Sequence, residues 1–321
     1  MAIERARVQT LPRPWGVIDL APWGDAARDG VPIGEIRYER PDQPASSPSL
    51  LLKLLFTSKP LSIQVHPDDA YAQSMGLPNG KTEAWYVLGA APGAKVALGL
   101  KHRLTQQQLR EAVDDGSISE LVVWRTVLPD DVVFVPAGTI HAIGAGVVIA
   151  EIQQRSDTTF RLFDYGRQRE LHIERAIAVA NPGPARFRVR PNRFTDERTL
   201  LVCGPHFVLE RLDLPPNSAW SLQAKRETWL LVLSGGAAAA SLHVVAADAI
   251  FAQSDRVDIQ VGGTGMVGLV AYTGSDPEAH LLRRLAQLDA THARRPQEVQ
   301  EPTSLTRATA ASTPGRLETT K

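Results

Sequence analysis

Cysteine is nearly absent from this chain, since Cys203 is the only one among 321 residues. A single cysteine excludes an intrachain disulfide, and it also excludes a zinc site built from cysteine thiolates. Any metal in this protein must therefore be held by His, Asp, Glu or amide oxygen. The low cysteine content suits a reducing compartment.

The chain also lacks an excess of charge of either sign, with 35 Lys and Arg residues against 35 Asp and Glu residues. Proteins that hold nucleic acid by general electrostatics usually carry a basic excess, so we expect no nucleic-acid partner. A net charge of zero remains compatible with a local basic pocket for one phosphate group.

Long hydrophobic runs are missing as well, and we expect no membrane span. Residues 235–252 come nearest, but His243 and Asp248 interrupt them, and we interpret them as buried strands. The segment Met1–Gly16 carries charge within its first few residues and has no apolar core of signal-peptide length. These features predict a cytoplasmic protein without a membrane partner.

Short apolar runs are abundant, and the 24 Gly and 23 Pro residues are spread widely among them. This pattern is typical of a mostly β protein. Seven strands are predicted in the first half: Leu50–Phe56, Ser62–Val65, Ala84–Leu88, Lys95–Leu100, Val122–Val127, Val132–Val135 and Val147–Ile152. Short helical insertions are predicted at Gln106–Val113, with Thr105 as N-cap, and at Asp68–Met75.

A second β-rich region begins near Arg186 and predicts another barrel or sandwich of ordinary domain size. A closing helix is predicted over Pro277–Leu288. After about residue 289 large apolar residues almost vanish, which indicates disorder. We therefore expect a first β domain at 1–185, a second at 186–288 and a disordered tail at 289–321.

The first polar signal lies in two strand-like segments. Gln64 and His66 share a face of one predicted strand, so both can be metal ligands, although they can equally line a solvated sheet face. Lys81 and Glu83 share a face at the start of another strand. Lysine can pair with a phosphate or an alkoxide, and glutamate can bind a metal or move a proton. Such a pair is also common on exposed strands.

The second polar signal follows the strand at Val132–Val135. A Pro-Ala-Gly turn leads to His141, which can point into a barrel or be a hydrogen-bonded core histidine. Further on, Glu151 begins a dense polar run in which Arg161 and Arg167 can bind an anion through paired donors. The alternative for this run is a charged loop held by salt bridges.

Taken together, four of these side chains supply two nitrogens and two oxygens: Gln64, His66, Glu83 and His141. Zinc accepts such a set, and a catalytic zinc keeps a place for water or substrate. Because no cysteine takes part, manganese or iron fits chemically as well.

Four motifs in this order resemble the type I mannose-6-phosphate isomerases in their short bacterial form. They are QVHPDD (Gln64–Asp69), GKTE-x-WY (Gly80–Tyr86), VPAGTIHAIG (Val135–Gly144) and EIQQ-x-SDTT-x-R-x-x-DY-x-R (Glu151–Arg167). The segments Pro12–Gly16 and Ile33–Glu35 also look like the opening of that family. The resemblance is strong over roughly residues 11–180, and beyond that it is one of length and pattern.

The resemblance implies a double-cupin fold with one zinc ion per chain in the first barrel. Carried over residue by residue, the family's metal ligands fall on Gln64, His66, Glu83 and His141. The catalytic arginine falls on Arg161 and the active-site lysine on Lys81. The implied reaction interconverts mannose 6-phosphate and fructose 6-phosphate through an enediol.

The sequence also offers candidates for the general base and for the phosphate contacts. Glu151 is our candidate base, because it lies on the strand after His141 and resembles the Glu of the family's EIQQ segment. Lys81 and Arg167 are our candidates for the phosphate.

Two other functions stay open at this point. One is a different metal-cupin enzyme, such as an oxygenase or an isomerase of another sugar phosphate; the other is a non-catalytic sugar-binding cupin. An oxygenase would usually present two His and one carboxylate around iron, whereas Gln64 and the nearby cations favour a polar anionic substrate. In the second region His206 and His243 stand alone, so we expect no metal there. No feature of the sequence indicates an oligomeric state.

Overall fold

Strands make up about half of the computed structural model, which describes residues 3–41, 47–185 and 189–286. Their bounds are β1 Glu4–Arg5, β2 Arg7–Val17, β3 Ile33–Glu39, β4 Leu50–Phe56, β5 Ile63–Val65, β6 Glu83–Ala90, β7 Lys95–Leu100, β8 Val122–Thr126, β9 Val132–Val135, β10 His141–Ile143, β11 Val147–Gln154, β12 Phe160–Phe163, β13 Asn192–Arg193, β14 Arg198–Cys203, β15 Phe207–Leu214, β16 Ala219–Ala224, β17 Thr228–Ala239, β18 Leu242–Val245, β19 Ala249–Ala252, β20 Asp255–Thr273 and β21 Leu282–Arg284. The α-helices are α1 Asp69–Ser74, α2 Gln106–Asp114, α3 Ile118–Leu121 and α4 Ile173–Val179, and a single 3-10 turn spans Arg28–Gly30.

Two antiparallel sheets enclose the first barrel. The first sheet has the order β2-β3-β4-β11-β6-β9, and the second has the order β12-β5-β10-β7-β8. Trp85 and Ile149 of the first sheet pack against Val96 and Leu98 of the second sheet in one buried cluster. Polar residues on the facing sides of the two sheets therefore lie next to a buried apolar cluster.

The sequence of strand β4 is apolar almost throughout, and its surroundings explain why. Its even-numbered residues, from Leu50 to Phe56, pack against the third sheet, and Leu55 faces the first barrel. Because both faces of the strand are covered, the usual alternation of apolar and polar residues is lost. Lys53 is the single charged residue in this run, and it is buried.

The helices cover the outer face of the second sheet. Leu109 and Val113 of α2 and Ile177 of α4 join Val65 and Phe160 in one buried cluster. The start of α2 has the predicted Thr105 cap, with a capping box completed by the side chain of the third helical residue. No helix among the described residues is long and apolar enough to cross a membrane.

The third sheet contains ten strands and folds over on itself. The first half of the long strand β20 pairs with β16 and the second half pairs with β15, while β17 pairs with both halves. Val257 and Val270, which lie on these two halves, belong to the same buried cluster. Strand β1 also pairs with β19 of this sheet, so residues from early in the sequence are part of a sheet that is otherwise formed by residues 192–284.

The predicted mostly β fold of two barrels with short helical insertions is confirmed. The closing helix predicted over Pro277–Leu288 is wrong, because Leu282–Arg284 forms β21 and pairs with β16. A short isolated helix gains little on its own, whereas the edge of β16 offers backbone partners and the adjacent core buries Leu281. The domain boundary near Arg186 stays a prediction, and the tail at 289–321 lies outside the described residues.

Strands β2 and β3 were not predicted from the sequence. Strand β2 contains Pro12 and Pro14, which usually argue against a strand. It lies at the edge of the first sheet and pairs only with β3 among the described strands, so the missing N–H groups of its prolines cost few ladder bonds.

A buried ion pair holds the third sheet to the end of the described chain. The Arg198 guanidinium donates two hydrogen bonds to the Glu210 carboxylate, at 2.9 and 2.8 Å, and two more to the backbone carbonyls of Glu278 and Ala279. The Tyr272 hydroxyl donates to the same carboxylate at 2.5 Å. Both charged groups are thus fully engaged inside the protein.

Replacing Arg198 by Met should lower the free energy of unfolding by about 3–5 kcal/mol, because it leaves the Glu210 carboxylate buried without its cation. Urea denaturation measures this change. Arg193→Met removes an exposed arginine that pairs with Asp196 and should cost no more than about 1 kcal/mol. Equal losses in the two variants would contradict the role given to the buried pair.

Candidate metal centre

The second sheet brings three polar side chains into one row. His141 on β10 pairs with Gln64 on β5, and Gln64 pairs with Arg161 on β12. Directly paired residues of antiparallel strands point to the same face. Their neighbours Val65 and Phe160 pack against the helices, so the polar row faces the barrel interior.

The first sheet supplies the opposite wall. Lys53 on β4 pairs with Arg37 on β3 and with Glu151 on β11. Glu83 lies at the start of β6, where it pairs with Gln153. The period of two along these strands turns Lys53, Glu151 and Glu83 toward the row on the second sheet.

Three side chains meet between the two walls. His66, Glu83 and His141 each offer one donor atom, and these atoms lie within 4.8 Å of one another. The Glu83 carboxylate is 3.4 Å from Nε2 of His66 and 3.4 Å from Nε2 of His141. All three residues are at most 1% exposed. The cluster is therefore a buried site with two nitrogen donors and one carboxylate.

The outer hydrogen bonds of the two imidazoles fix their tautomers. Nδ1 of His66 lies 2.9 Å from the Thr158 carbonyl oxygen, and Nδ1 of His141 lies 2.8 Å from the Thr139 carbonyl oxygen. A carbonyl oxygen can only accept, so each Nδ1 carries the proton and donates it. Both Nε2 atoms consequently keep a free lone pair, which is the state that metal-ligating histidines require.

The ammonium group of Lys81 contacts the same atoms of His66 and Glu83 that could bind a metal ion. Its Nζ donates to Nε2 of His66 at 3.0 Å and also forms a short ion pair with Glu83. Burial alone would raise the pKa of Glu83, but Lys81, His66 and His141 together outweigh this effect and lower that pKa well below its ordinary value. The same donor atoms that bind this ammonium group fit a divalent metal ion.

Burial also keeps the two histidines neutral. Desolvation, together with the charge of Lys81, lowers the pKa of His66 to about 3. Desolvation lowers the pKa of His141 in the same way. Neutral imidazole is the metal-binding form of histidine, so both rings are ready to bind a metal at neutral pH.

Gln64 lies beside the cluster, and its predicted role as a metal ligand stays a prediction. Its Nε2 donates to Nε2 of His141 at 3.2 Å, and its Oε1 accepts from the Ser62 hydroxyl at 3.0 Å. Rotating the amide by about 180° exchanges these two atoms. The oxygen then faces the cluster, and the hydroxyl of Ser62 can accept from the amide nitrogen.

A cavity of about 690 Å³ opens next to the cluster. Gln64 and the three predicted catalytic residues contribute to its lining, namely Lys81, Glu151 and Arg161. The lining also contains four cations that the sequence analysis did not single out: Arg13, Arg37, Lys53 and Arg169. A signal existed for Lys53, since it is the lone charge in an apolar strand. Arg169 could not have been found this way, because its loop has no periodic pattern.

Glu151 has surroundings that suit proton transfer. Its Oε1 lies 3.5 Å from Nζ of Lys53 and 3.8 Å from Nζ of Lys81. Burial raises the pKa of Glu151, and the two lysines offset only part of this effect. A carboxyl group with a raised pKa between two ammonium groups can both accept and return a proton.

The two predicted arginines lie in different settings. Arg161 lines the cavity, and its buried Nε makes no hydrogen bond to any described residue. Arg167 lies outside the cavity lining, where its guanidinium donates to Asp164 at 3.0 and 2.7 Å. The assignment of Arg167 to the phosphate stays a prediction, and the geometry favours the other cavity cations.

The buried His66 ring predicts how the stability of the metal-free protein depends on pH. The folded form stays neutral down to about pH 3, whereas the unfolded chain takes up a proton below the ordinary pKa of 6.5. The free energy of unfolding should therefore fall as the pH is lowered from 6.5 to 3, by up to about 1.4 kcal/mol per pH unit. Urea denaturation of chelator-treated protein measures this slope. His66→Gln should flatten it, and an unchanged slope would contradict the assignment.

Comparison with known proteins finds similarity to mannose-6-phosphate isomerases. No protein-family model matches the sequence. The chain is 39% identical over 196 residues to a mannose-6-phosphate isomerase of Streptococcus mutans serotype c, and 39% identical over 166 residues to one of Bacillus subtilis strain 168. The two alignments cover 56% and 48% of this chain and 60% and 52% of the relatives. The chain thus spans less than two thirds of the length of these curated relatives.

The fold matches over a longer part of the chain. The crystal structure of the mannose 6-phosphate isomerase from Bacillus subtilis superposes with a TM-score of 0.74 at 22% identity, covering 85% of this chain and 100% of that one. At this identity the likeness concerns the fold. In sequence over about half of its length and in fold over most of it, this chain resembles the mannose-6-phosphate isomerases.

Proposed function

We propose that this protein is a zinc-dependent aldose-ketose isomerase that interconverts D-mannose 6-phosphate and D-fructose 6-phosphate. The observation that carries the proposal is the buried cluster of two neutral imidazoles and one carboxylate beside a strongly cationic cavity. The resemblance to mannose-6-phosphate isomerases supports the choice of sugar. A cytoplasmic location belongs to the same proposal, because a charged sugar phosphate does not cross membranes unaided.

Charge selects the substrate class. Six cationic side chains line the cavity, and three carboxylates oppose them, in a protein whose net charge is zero. A phosphate dianion in the cavity would reduce this local excess. Arg13, Arg37 and Arg169 line the cavity and are our candidates to hold it, since guanidinium groups bind phosphate through paired donors. Each already pairs with a carboxylate, that of Glu35, Asp157 and Asp164 respectively, so the phosphate would use their remaining donors or replace that pairing. The volume also lies in the range of small-ligand sites.

The cluster is where the metal would be held. His66, Glu83 and His141 would bind zinc, with the amide oxygen of Gln64 as a fourth ligand, which matches the donors that zinc accepts. Zinc bound there would supply Lewis-acid stabilisation to the substrate oxygens that become negative during the reaction.

The proton moves between C1 and C2 of the open-chain sugar, and Glu151 is the group that we assign to carry it. Its raised pKa keeps the conjugate acid close enough in energy to return the proton to the neighbouring carbon. Lys53 and Lys81 hold the carboxylate from one side. Lys81 can also donate to a substrate oxygen.

Arg161 is assigned to stabilise the enediolate. Burial and the nearby charge of Arg169 lower the pKa of Arg161, and Asp164 and Glu170 offset only part of these effects, so the surroundings balance its positive charge incompletely. Negative charge that develops on a substrate oxygen relieves this imbalance only during the reaction. Such an interaction lowers the barrier more than it strengthens ground-state binding.

Glu83→Gln should abolish tight zinc binding and isomerisation, because it removes the only carboxylate of the cluster. Zinc per chain is measured on purified protein, and turnover of mannose 6-phosphate is measured in a coupled assay. Glu227→Gln is a matched control, since Glu227 is also buried and accepts a tryptophan indole N–H at 3.2 Å, compared with 3.1 Å for Glu83. It should keep its zinc. Full zinc content and turnover in Glu83→Gln would refute the assignment.

Arg161→Ala should keep the zinc but lower kcat by about 100- to 1000-fold, because one preorganised cation is lost from the developing charge. Arg110→Ala, which removes an exposed arginine paired with Glu174, should leave kcat unchanged. A chelator should remove the activity of the unmodified protein, and zinc should restore it. If chelated and zinc-loaded protein bind the sugar phosphate but neither turns it over, the protein is a sugar-binding module instead.

A further inference from the structure

The backbone N–H groups of the two residues that flank Lys81 are held from outside the metal cluster. The N–H of Gly80 donates to Oδ1 of Asp69 at 2.7 Å, and the N–H of Thr82 donates to Oε1 of Gln154 at 2.9 Å. Nε2 of Gln154 donates to the same Asp69 oxygen at 2.8 Å. Asp69 and Gln154 therefore form one bonded pair, which we term the Asp69–Gln154 bracket.

The bracket ties together the segments that carry the reactive groups. Asp69 lies three residues after His66, and Gln154 lies three residues after Glu151. Thr82 directly precedes Glu83. A shift of Asp69 or Gln154 would therefore be transmitted to residues on three separate segments.

The fourth segment is joined through Thr82. Its hydroxyl oxygen accepts from the N–H of Ala137 at 3.2 Å, and the N–H of Gly138 donates to the His66 carbonyl at 2.8 Å. These two residues belong to the turn that leads to His141. All four segments of the site are thus fixed at one end by hydrogen bonds that do not use the atoms proposed to bind the metal.

Close backbone contact leaves little freedom at this point. The N–H of Lys81 donates to the Pro67 carbonyl at 2.9 Å. A Cβ atom added to Gly80 would lie 2.4 Å from the carbonyl carbon of Asp68, so the two backbones touch. Together with this contact, the bracket fixes the position of the Lys81 backbone and therefore the direction in which its side chain leaves the backbone.

We propose that Asp69 and Gln154 are positioning residues that hold Lys81 and Glu83 in the arrangement required for isomerisation, which rests on the function proposed above. Neither side chain lines the cavity or supplies a donor atom to the cluster. They act through the backbone of residues 80–82. Outer residues of this kind typically change metal affinity or activity by about 10- to 100-fold.

The test compares Asp69→Ala and Gln154→Ala with Asp68→Ala in the full-length, zinc-loaded chain. Asp68 caps helix α1 by accepting from the N–H of Tyr71 at 2.8 Å and takes no part in the bracket. Both bracket variants should lower kcat by about 10- to 100-fold, with KM changed far less, because the cavity arginines lie on other segments. Asp68→Ala should keep kcat.

Two further measurements separate positioning from folding. Amide hydrogen exchange should accelerate by about 10-fold at Gly80 and Thr82 in the bracket variants, and stay unchanged there in Asp68→Ala. Gln154→Glu places two carboxylates in contact and should lower kcat.

The outcomes are distinct for the two proposals. No turnover of mannose 6-phosphate by the unmodified protein would overturn the proposed function, and the exchange rates would still decide whether the bracket holds residues 80–82. Turnover within about twofold of the unmodified protein in both alanine variants would overturn the positioning role. An equal loss of kcat in Asp68→Ala would overturn it as well.

Discussion

The burial of one carboxylate between two neutral imidazoles is the constraint on which the rest of the site depends. Glu83 is removed from water and must be paired with positive charge, since an unpaired buried charge costs several kcal/mol. In the described structure Lys81 provides that charge. The same requirement suits the cluster to bind a cation. Burial lowers the pKa of both histidines and keeps them neutral, and their hydrogen bonds to carbonyl groups fix which ring nitrogen carries the proton.

The double-barrel frame serves this constraint by supplying two walls with different tasks. The second sheet aligns His141, Gln64 and Arg161 in a single row. The first sheet places Glu83 and Glu151 opposite that row. Apolar residues fill the other face of each sheet. The side chains of the cluster are therefore buried, while the cavity beside them opens to solvent.

Much of this arrangement could be predicted from the sequence, because it depends on local patterns. Alternation along strands placed Gln64 and His66 on suitable segments, and short apolar runs indicated a β fold. The β21 strand could not be predicted, since its pairing with β16 is a long-range contact that overrides a helix-like spacing of leucines. The cavity position of Arg169 depends likewise on loop geometry that has no local signature.

A repeated motif shows where local pattern ceases to determine chemistry. The spacing Lys-x-Glu-x-Trp occurs at Glu83 and Trp85 and again at Glu227 and Trp229, and in both places the indole N–H donates to the carboxylate. The second carboxylate accepts backbone N–H groups at the start of β4, including that of Leu50 at 2.8 Å. It ties one strand to another, because no histidine converges on it among the described residues.

The most direct test of this account is a crystal structure of the protein grown with zinc, with anomalous diffraction measured on both sides of the zinc absorption edge. We expect one zinc peak per chain, in contact with Nε2 of His66, Nε2 of His141 and the Glu83 carboxylate. A zinc peak elsewhere, or none at this cluster while Lys81 keeps its contact with Glu83, would contradict the claim that the three side chains form a metal site.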